Sequence, residues 1–107
     1  MVIRLRVQFL VPLKYNDGTD VEQEKLFDVR EFVVGLFGAV TIHPLSTEGI
    51  WISPKTKRRY YDTCKRFEVS IERSENTDNI LKNLKEKLKE IFRQEEIYMY
   101  YDEIIQI

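Results

Sequence analysis

The chain has one cysteine, one histidine and one tryptophan among 107 residues. A single cysteine excludes an internal disulfide, and no Cys or Cys/His cluster has metal-site spacing. Both fit a reducing, cytoplasmic setting. With four glycines and three prolines, there is no Gly-rich phosphate loop, Walker pattern or Ser-His-Asp order. No internal repeat, low-complexity tract or linker is visible. The longest nearly apolar run, Phe32–Val40, falls far short of the roughly 20 residues that span a bilayer. Arg4, Arg6 and Gln8 interrupt the first apolar stretch, so neither a signal peptide nor a membrane partner is expected. Excess charge is lacking too: 17 Lys and Arg stand against 18 Asp and Glu, a net charge of −1. That argues against a generally basic nucleic-acid binder, so any hold on an anion must come from uneven placement of charge.

The remaining composition, 43% hydrophobic and 33% charged, is that of one globular domain over residues 1–107 with a substantial core. Ile3, Leu5, Val7, Phe9 and Val11 alternate with Arg4, Arg6 and Gln8, the period of a half-buried strand. Thr19 and Glu22 have capping-box spacing. Leu26, Val29, Val33, Leu36 and Phe37 then mark a helix over about residues 20–37, with Gly38 as its C-terminal cap. Ala39–His43 reads as a short strand broken by Pro44. Gly49–Ile52 and Arg58–Tyr61 flank a turn at Ser53–Lys57, and Phe67, Val69 and Ile71 alternate as another strand. Asn76 or Thr77 caps a second helix striped by Ile80, Leu81, Leu84, Leu88, Ile91 and Phe92. Ile97, Met99, Tyr101, Ile105 and Ile107 mark a last strand. The order β-α-β-β-α-β predicts a ferredoxin-like α+β fold. It has a four-stranded antiparallel sheet, two helices on one face, central first and third strands, and an inserted hairpin around 49–62.

The rare residues gather between Thr41 and Arg66. This stretch holds His43, Trp51, Cys64, Pro44 and Pro54, with Lys55, Lys57, Arg58, Arg59, Lys65 and Arg66 against only Glu48 and Asp62. His43, the only imidazole, is the candidate general acid or base; its plainer role is a strand-end hydrogen bond. Arg58, Arg59 and Arg66 are candidate phosphate ligands, and Trp51, Tyr60 and Tyr61 candidate base-stacking groups. A solvated turn and a packed hairpin are the plainer readings of the same residues. Cys64 reads as an inert buried thiol. Glu48 and Asp62 form at most a carboxylate pair, so neither metal nor cofactor is expected. The uncovered sheet face would show Arg4, Arg6, Gln8, Arg66, Glu68, Ser70, Tyr98 and Tyr100. Arg4 and Arg6 there are either ligand-binding or paired with Glu68 and Glu72. Central-strand aromatics of an RNA-recognition module are missing.

Thr41, Gly49-Ile50-Trp51 and Tyr61-Asp62-Thr63-Cys64 leading into Phe67-Val69-Ile71 resemble a small bacterial ferredoxin-like domain family of unknown function. Cys64 stands where that family has serine. In size, lack of metal ligands and possession of a basic loop with His and aromatics, the chain also resembles the small ring nucleases of viruses and of type III CRISPR defence. That resemblance implies a dimeric, metal-independent phosphodiesterase acting on RNA or a cyclic oligoadenylate. His43 would be its acid or base, and the anionic ligand would be held across a homodimer. The alternative is a non-catalytic binding or oligomerisation module, its interface formed by the sheet face and Tyr98, Tyr100 and Tyr101.

Overall fold

The computed structural model describes residues 1–107. Its elements follow the expected order: β1 (Val2–Pro12), α1 (Gln23–Phe37), β2 (Thr41–Ile52), β3 (Arg59–Ile71), α2 (Thr77–Phe92) and β4 (Met99–Gln106). The strands form one antiparallel sheet in the order β2-β3-β1-β4, the ferredoxin-like arrangement with β1 and β3 at the centre. No helix is long and apolar enough to cross a membrane.

Period-two patterning puts Leu5, Val7, Phe9 and Val11 of β1, with Phe67 and Val69 of β3, on the helix side, where all are buried. Phe9 and Phe67 pack with ring centroids 5.5 Å apart. Val29 and Val33 of α1 and Leu81, Leu84, Leu88 and Phe92 of α2 close this core from above. Two stripe positions fall outside it: Leu36 and Ile80 are exposed, because each lies at the margin of its helix's apolar arc.

The capping box does not form. Asp17 instead accepts from the Thr19 backbone N–H (2.9 Å) and hydroxyl (2.6 Å), while Glu22 accepts from the Tyr15 hydroxyl at 2.6 Å. The helix therefore starts at Gln23 without a side-chain cap. At its other end Gly38 takes φ 82 and returns its N–H to the Val34 carbonyl, a left-handed cap that favours glycine.

Pro44 does not end β2. Ile42 faces Phe67 and Ser46 faces Lys65, so residues 43–45 bulge opposite Arg66 and the strand continues. The hairpin around 49–62 is thus the outer end of β2 and β3 themselves. Beyond the body these strands form a two-stranded arm that closes at Ser53–Arg58, where the Ser53 N–H donates to the Arg58 carbonyl at 2.9 Å. The buried Ser53 side chain accepts from the backbone N–H groups of Lys55 and Thr56.

Candidate functional site

The sheet face turned away from the helices carries the even-numbered residues of β1 and β3. Its inner half is a polar lattice. The Arg4 guanidinium donates to the Ser70 hydroxyl and carbonyl, each at 2.8 Å, and lies 3.7 Å from Glu72. Arg6 donates through two nitrogens to the Asp102 carboxylate, at 3.1 and 2.8 Å. That fork raises the Arg6 pKa and holds Asp102 below its usual value. Arg66 donates to the Tyr100 hydroxyl at 2.8 Å and, more weakly, to Gln8 at 3.4 Å. His43 lies 3.7 Å from Glu68 with its side chain 46% exposed.

Toward the arm the same face turns apolar and concave. Register sets Pro12 against Cys64, Leu10 against Arg66, Gly49 against Asp62 and Trp51 against Tyr60. Leu10, Pro12, Gly49, Trp51, Asp62 and Cys64 line a cleft of about 350 Å³, within the range of small-molecule sites. Gly49 has an ordinary φ; what matters is its missing side chain, since a Cβ there would meet open space on the cleft side. Trp51 and Tyr60 stack at 5.0 Å with 26° between ring planes, and the Arg58 guanidinium lies 5.8 Å from the Tyr60 ring centroid.

The far wall, formed by Gln94, Glu96, Ile97 and Tyr98, comes from the segment joining α2 to β4. Arg93 ends α2 in a left-handed conformation, φ 55, and its guanidinium lies 4.9 Å from the Tyr15 ring centroid. Glu96 fixes the wall: it meets Lys85 at 2.8 Å and accepts the Ile97 N–H at 3.0 Å. The Lys85 hydrogen bond lowers the Glu96 pKa.

Of the two carboxylates that line the cleft, Glu96 pairs with Lys85 and Asp62 has no salt-bridge partner. Burial raises its pKa, and the indole N–H of Trp51 only partly offsets that cost. Burial, with Asp62 nearby, also pushes the Cys64 thiol up to about 12, so the thiol is inert at neutral pH. Glu48 pairs with Thr63 and Asp62 with Gly49, so the two carboxylates leave the arm on opposite faces and make no pair. No group of three His, Cys, Asp or Glu side chains converges to hold a metal.

The sequence candidates therefore divide into separate places. Trp51 lines the cleft, Tyr60 stacks on it, and Arg58 lies near the Tyr60 ring. Tyr61 faces the other way and is 71% exposed, and Arg59 lies at the arm's tip opposite Ile52. Arg4 and Arg6 are tied into the lattice. Arg66 borders the cleft through its register neighbour Leu10. His43 stands in the bulge opposite Arg66, but Arg59 is seven residues further along β3, roughly 23 Å at strand rise. Of the last tyrosines, Tyr98 lines the cleft and packs on Tyr100 at 5.2 Å. Tyr101 lies on the helix side, its hydroxyl 3.1 Å from Asp78. Sequence reasoning missed Leu10, Pro12, Gln94, Glu96 and Ile97 as cleft residues. Strand pairing places Leu10 and Pro12, the segment between α2 and β4 supplies Gln94, Glu96 and Ile97, and nothing local in the sequence marks them.

No family model matches the chain, and no curated protein matches it in sequence, so the bacterial-family resemblance stays a resemblance. Two solved structures are similar in fold. A phage SAM lyase in complex with S-methyl-5′-thioadenosine superposes with a TM-score of 0.71 at 12% identity, over 96% of this chain and 90% of that one. A phage SAM lyase in the apo state superposes with a TM-score of 0.61 at 15% identity, over 98% and 84%. At these identities the likeness establishes the fold alone. It nevertheless points away from the ring-nuclease expectation and its CRISPR and RNA associations, since the neighbours are named for a lyase and one holds a nucleoside. Of the three candidate phosphate ligands, only Arg66 lies across from His43; Arg58 and Arg59 are at the far tip of the arm.

Proposed function

We propose that the chain binds an adenosyl sulfonium in the cleft and cleaves it, a SAM lyase-type reaction releasing S-methyl-5′-thioadenosine. The observation that carries this reading is Asp62, a half-buried carboxylate without a salt-bridge partner, beside Trp51 in an apolar cleft, with Tyr60 stacked against that indole. A purine finds a stacking surface in Trp51, which Tyr60 backs. A sulfonium supplies the positive charge that Asp62 lacks. A phosphate ligand would instead meet a carboxylate.

The chemistry follows from the same charges. Breaking the bond from sulfur to the amino-acid arm returns an electron pair to sulfur and cancels its charge. Loss of a proton from the adjacent carbon supplies the pair for a new carbon–carbon double bond, and Asp62 accepts the proton. A sulfonium and a carboxylate thus become a thioether and a carboxylic acid. Such mutual neutralisation is favoured where water is excluded, and a raised carboxylate pKa makes Asp62 the better base.

The test is to incubate the chain with SAM and follow S-methyl-5′-thioadenosine by chromatography, alongside calorimetric titration with both compounds. Wild type should form product, Asp62→Asn should slow turnover by at least ~100-fold, and Trp51→Ala should weaken binding of both compounds. Binding without product would remove the lyase and leave a nucleoside-binding module. Absence of binding would remove both. The homodimer expected from the sequence belongs to this reading as well: Ile50 and Ile52, both exposed on the arm, are surface that a second copy would cover.

A further inference from the structure

We infer that Arg66 is the specificity-determining residue that reads the carboxylate of the substrate's amino-acid arm, so that the site selects an adenosyl amino acid over a simple adenosyl thioether. This rests on the proposed adenosyl site and deepens it. Three arginines lie on the outer face of the central strands. Arg4 and Arg6 meet carboxylates of the chain itself. Arg66 meets none: its hydrogen bonds, to Tyr100 and Gln8, leave through Nη1 alone. The N–H groups on Nε and Nη2 therefore have no protein acceptor, although the side chain is half-buried.

Position supports the assignment. Arg66 is the next outward residue on β3 after Cys64, which sits under the cleft, a step of about 7 Å along the strand. Across the pair it faces Leu10, another cleft residue. A nucleoside stacked toward Trp51 would thus direct its arm along the sheet toward the guanidinium. Tyr100 and Gln8 steady the side chain through one nitrogen and leave the rest of the fork free, and a fork of that shape fits a carboxylate in two-point contact.

Three probes separate this from the underlying site: S-methyl-5′-thioadenosine, which lacks the arm; S-adenosylhomocysteine, which carries it on an uncharged sulfur; and decarboxylated S-adenosylhomocysteine. In calorimetry on the wild-type chain, removing the carboxylate should weaken binding about 10- to 100-fold, the worth of a charge-assisted hydrogen bond. Arg66→Gln should erase that difference while leaving affinity for S-methyl-5′-thioadenosine unchanged, and Arg66→Lys should keep part of it. Equal binding of the carboxylated and decarboxylated probes by wild type would overturn the inference, and needs no variant to fold. So would an undiminished difference in Arg66→Gln. Failure of the wild-type chain to bind any of the three would overturn the adenosyl site itself.

Discussion

Asp62 and Asp102 are both aspartates on strands, and opposite surroundings give them opposite effects on stability. Burial raises Asp62, so ionising it costs the folded state. Its native form binds more protons than the unfolded chain as pH rises from the ordinary aspartate value through the raised folded one. Stability falls across that window, and the penalty persists at neutrality. The Arg6 fork lowers Asp102, so its contribution is present above the unfolded value and is lost as pH falls through the folded one. Asp62→Asn should therefore melt higher than wild type at pH 7, with the gain vanishing in acid. Asp102→Asn should melt lower at pH 7, with the loss vanishing in acid. Melting curves of the three proteins from pH 3 to 8 check this. A neutral or lower melting point for Asp62→Asn at pH 7 would mean that the carboxylate is already compensated, which would weaken its case as the sulfonium's partner.

Among the elements, α2 was the most legible in the sequence because its apolar residues recur with helical spacing and its other face is charged. Even so, the stripe overstates what is buried. Leu88 is 1% exposed and Ile80 is 42% exposed. Leu88→Ala should cost about 2–5 kcal/mol, and Ile80→Ala well under half of that, as read by urea unfolding; similar losses would show that the α2 face is set differently. β1 and β3 were legible for the same reason, strict alternation with one face in the core. β2 was not, because a proline ordinarily stops a strand, and only the bulge opposite Arg66 lets this one run on. The cleft was less legible still. Trp51, Tyr60 and Asp62 were visible as rare or charged residues, but Trp51 sits opposite Tyr60 and Gly49 opposite Asp62 only because of a two-residue change of register across that bulge. The wall at 94–98 depends on where α2 ends against Tyr15. Periodicity locates elements, whereas a site assembled by pairing between distant strands is hidden until the register is known. The basic residues divide in the same way: Lys55, Lys57, Arg58 and Arg59 gather at the arm's turn, and Lys65 and Arg66 stand about 20 Å along β3 from it.

At the scale of the whole molecule, the chain measures 44 × 29 × 23 Å, and the arm of β2 and β3 extends past the core that the helices cover. A two-stranded ribbon with water on both sides is marginal by itself. This one is steadied on one face by the Trp51–Tyr60 stack, yet on the other it exposes Ile52 and Tyr61, with Ile50 beside them. Ile50 also lines the cleft, so whatever covers the outer face bears on ligand affinity. A second copy of the chain would meet both needs: it would bury apolar surface, and it would stiffen the wall against which the proposed nucleoside would stack. Sedimentation at micromolar concentration should therefore give twice the 12.9 kDa of one chain. Ile52→Ser with Tyr61→Ser should shift the mass toward one chain and weaken S-methyl-5′-thioadenosine binding, although neither residue lines the cleft. The linkage must run both ways, so adding that nucleoside should raise the dimer fraction of the variant. A wild-type chain that sediments as a monomer with and without ligand would separate the arm from the site, and the exposed isoleucines would then need another partner.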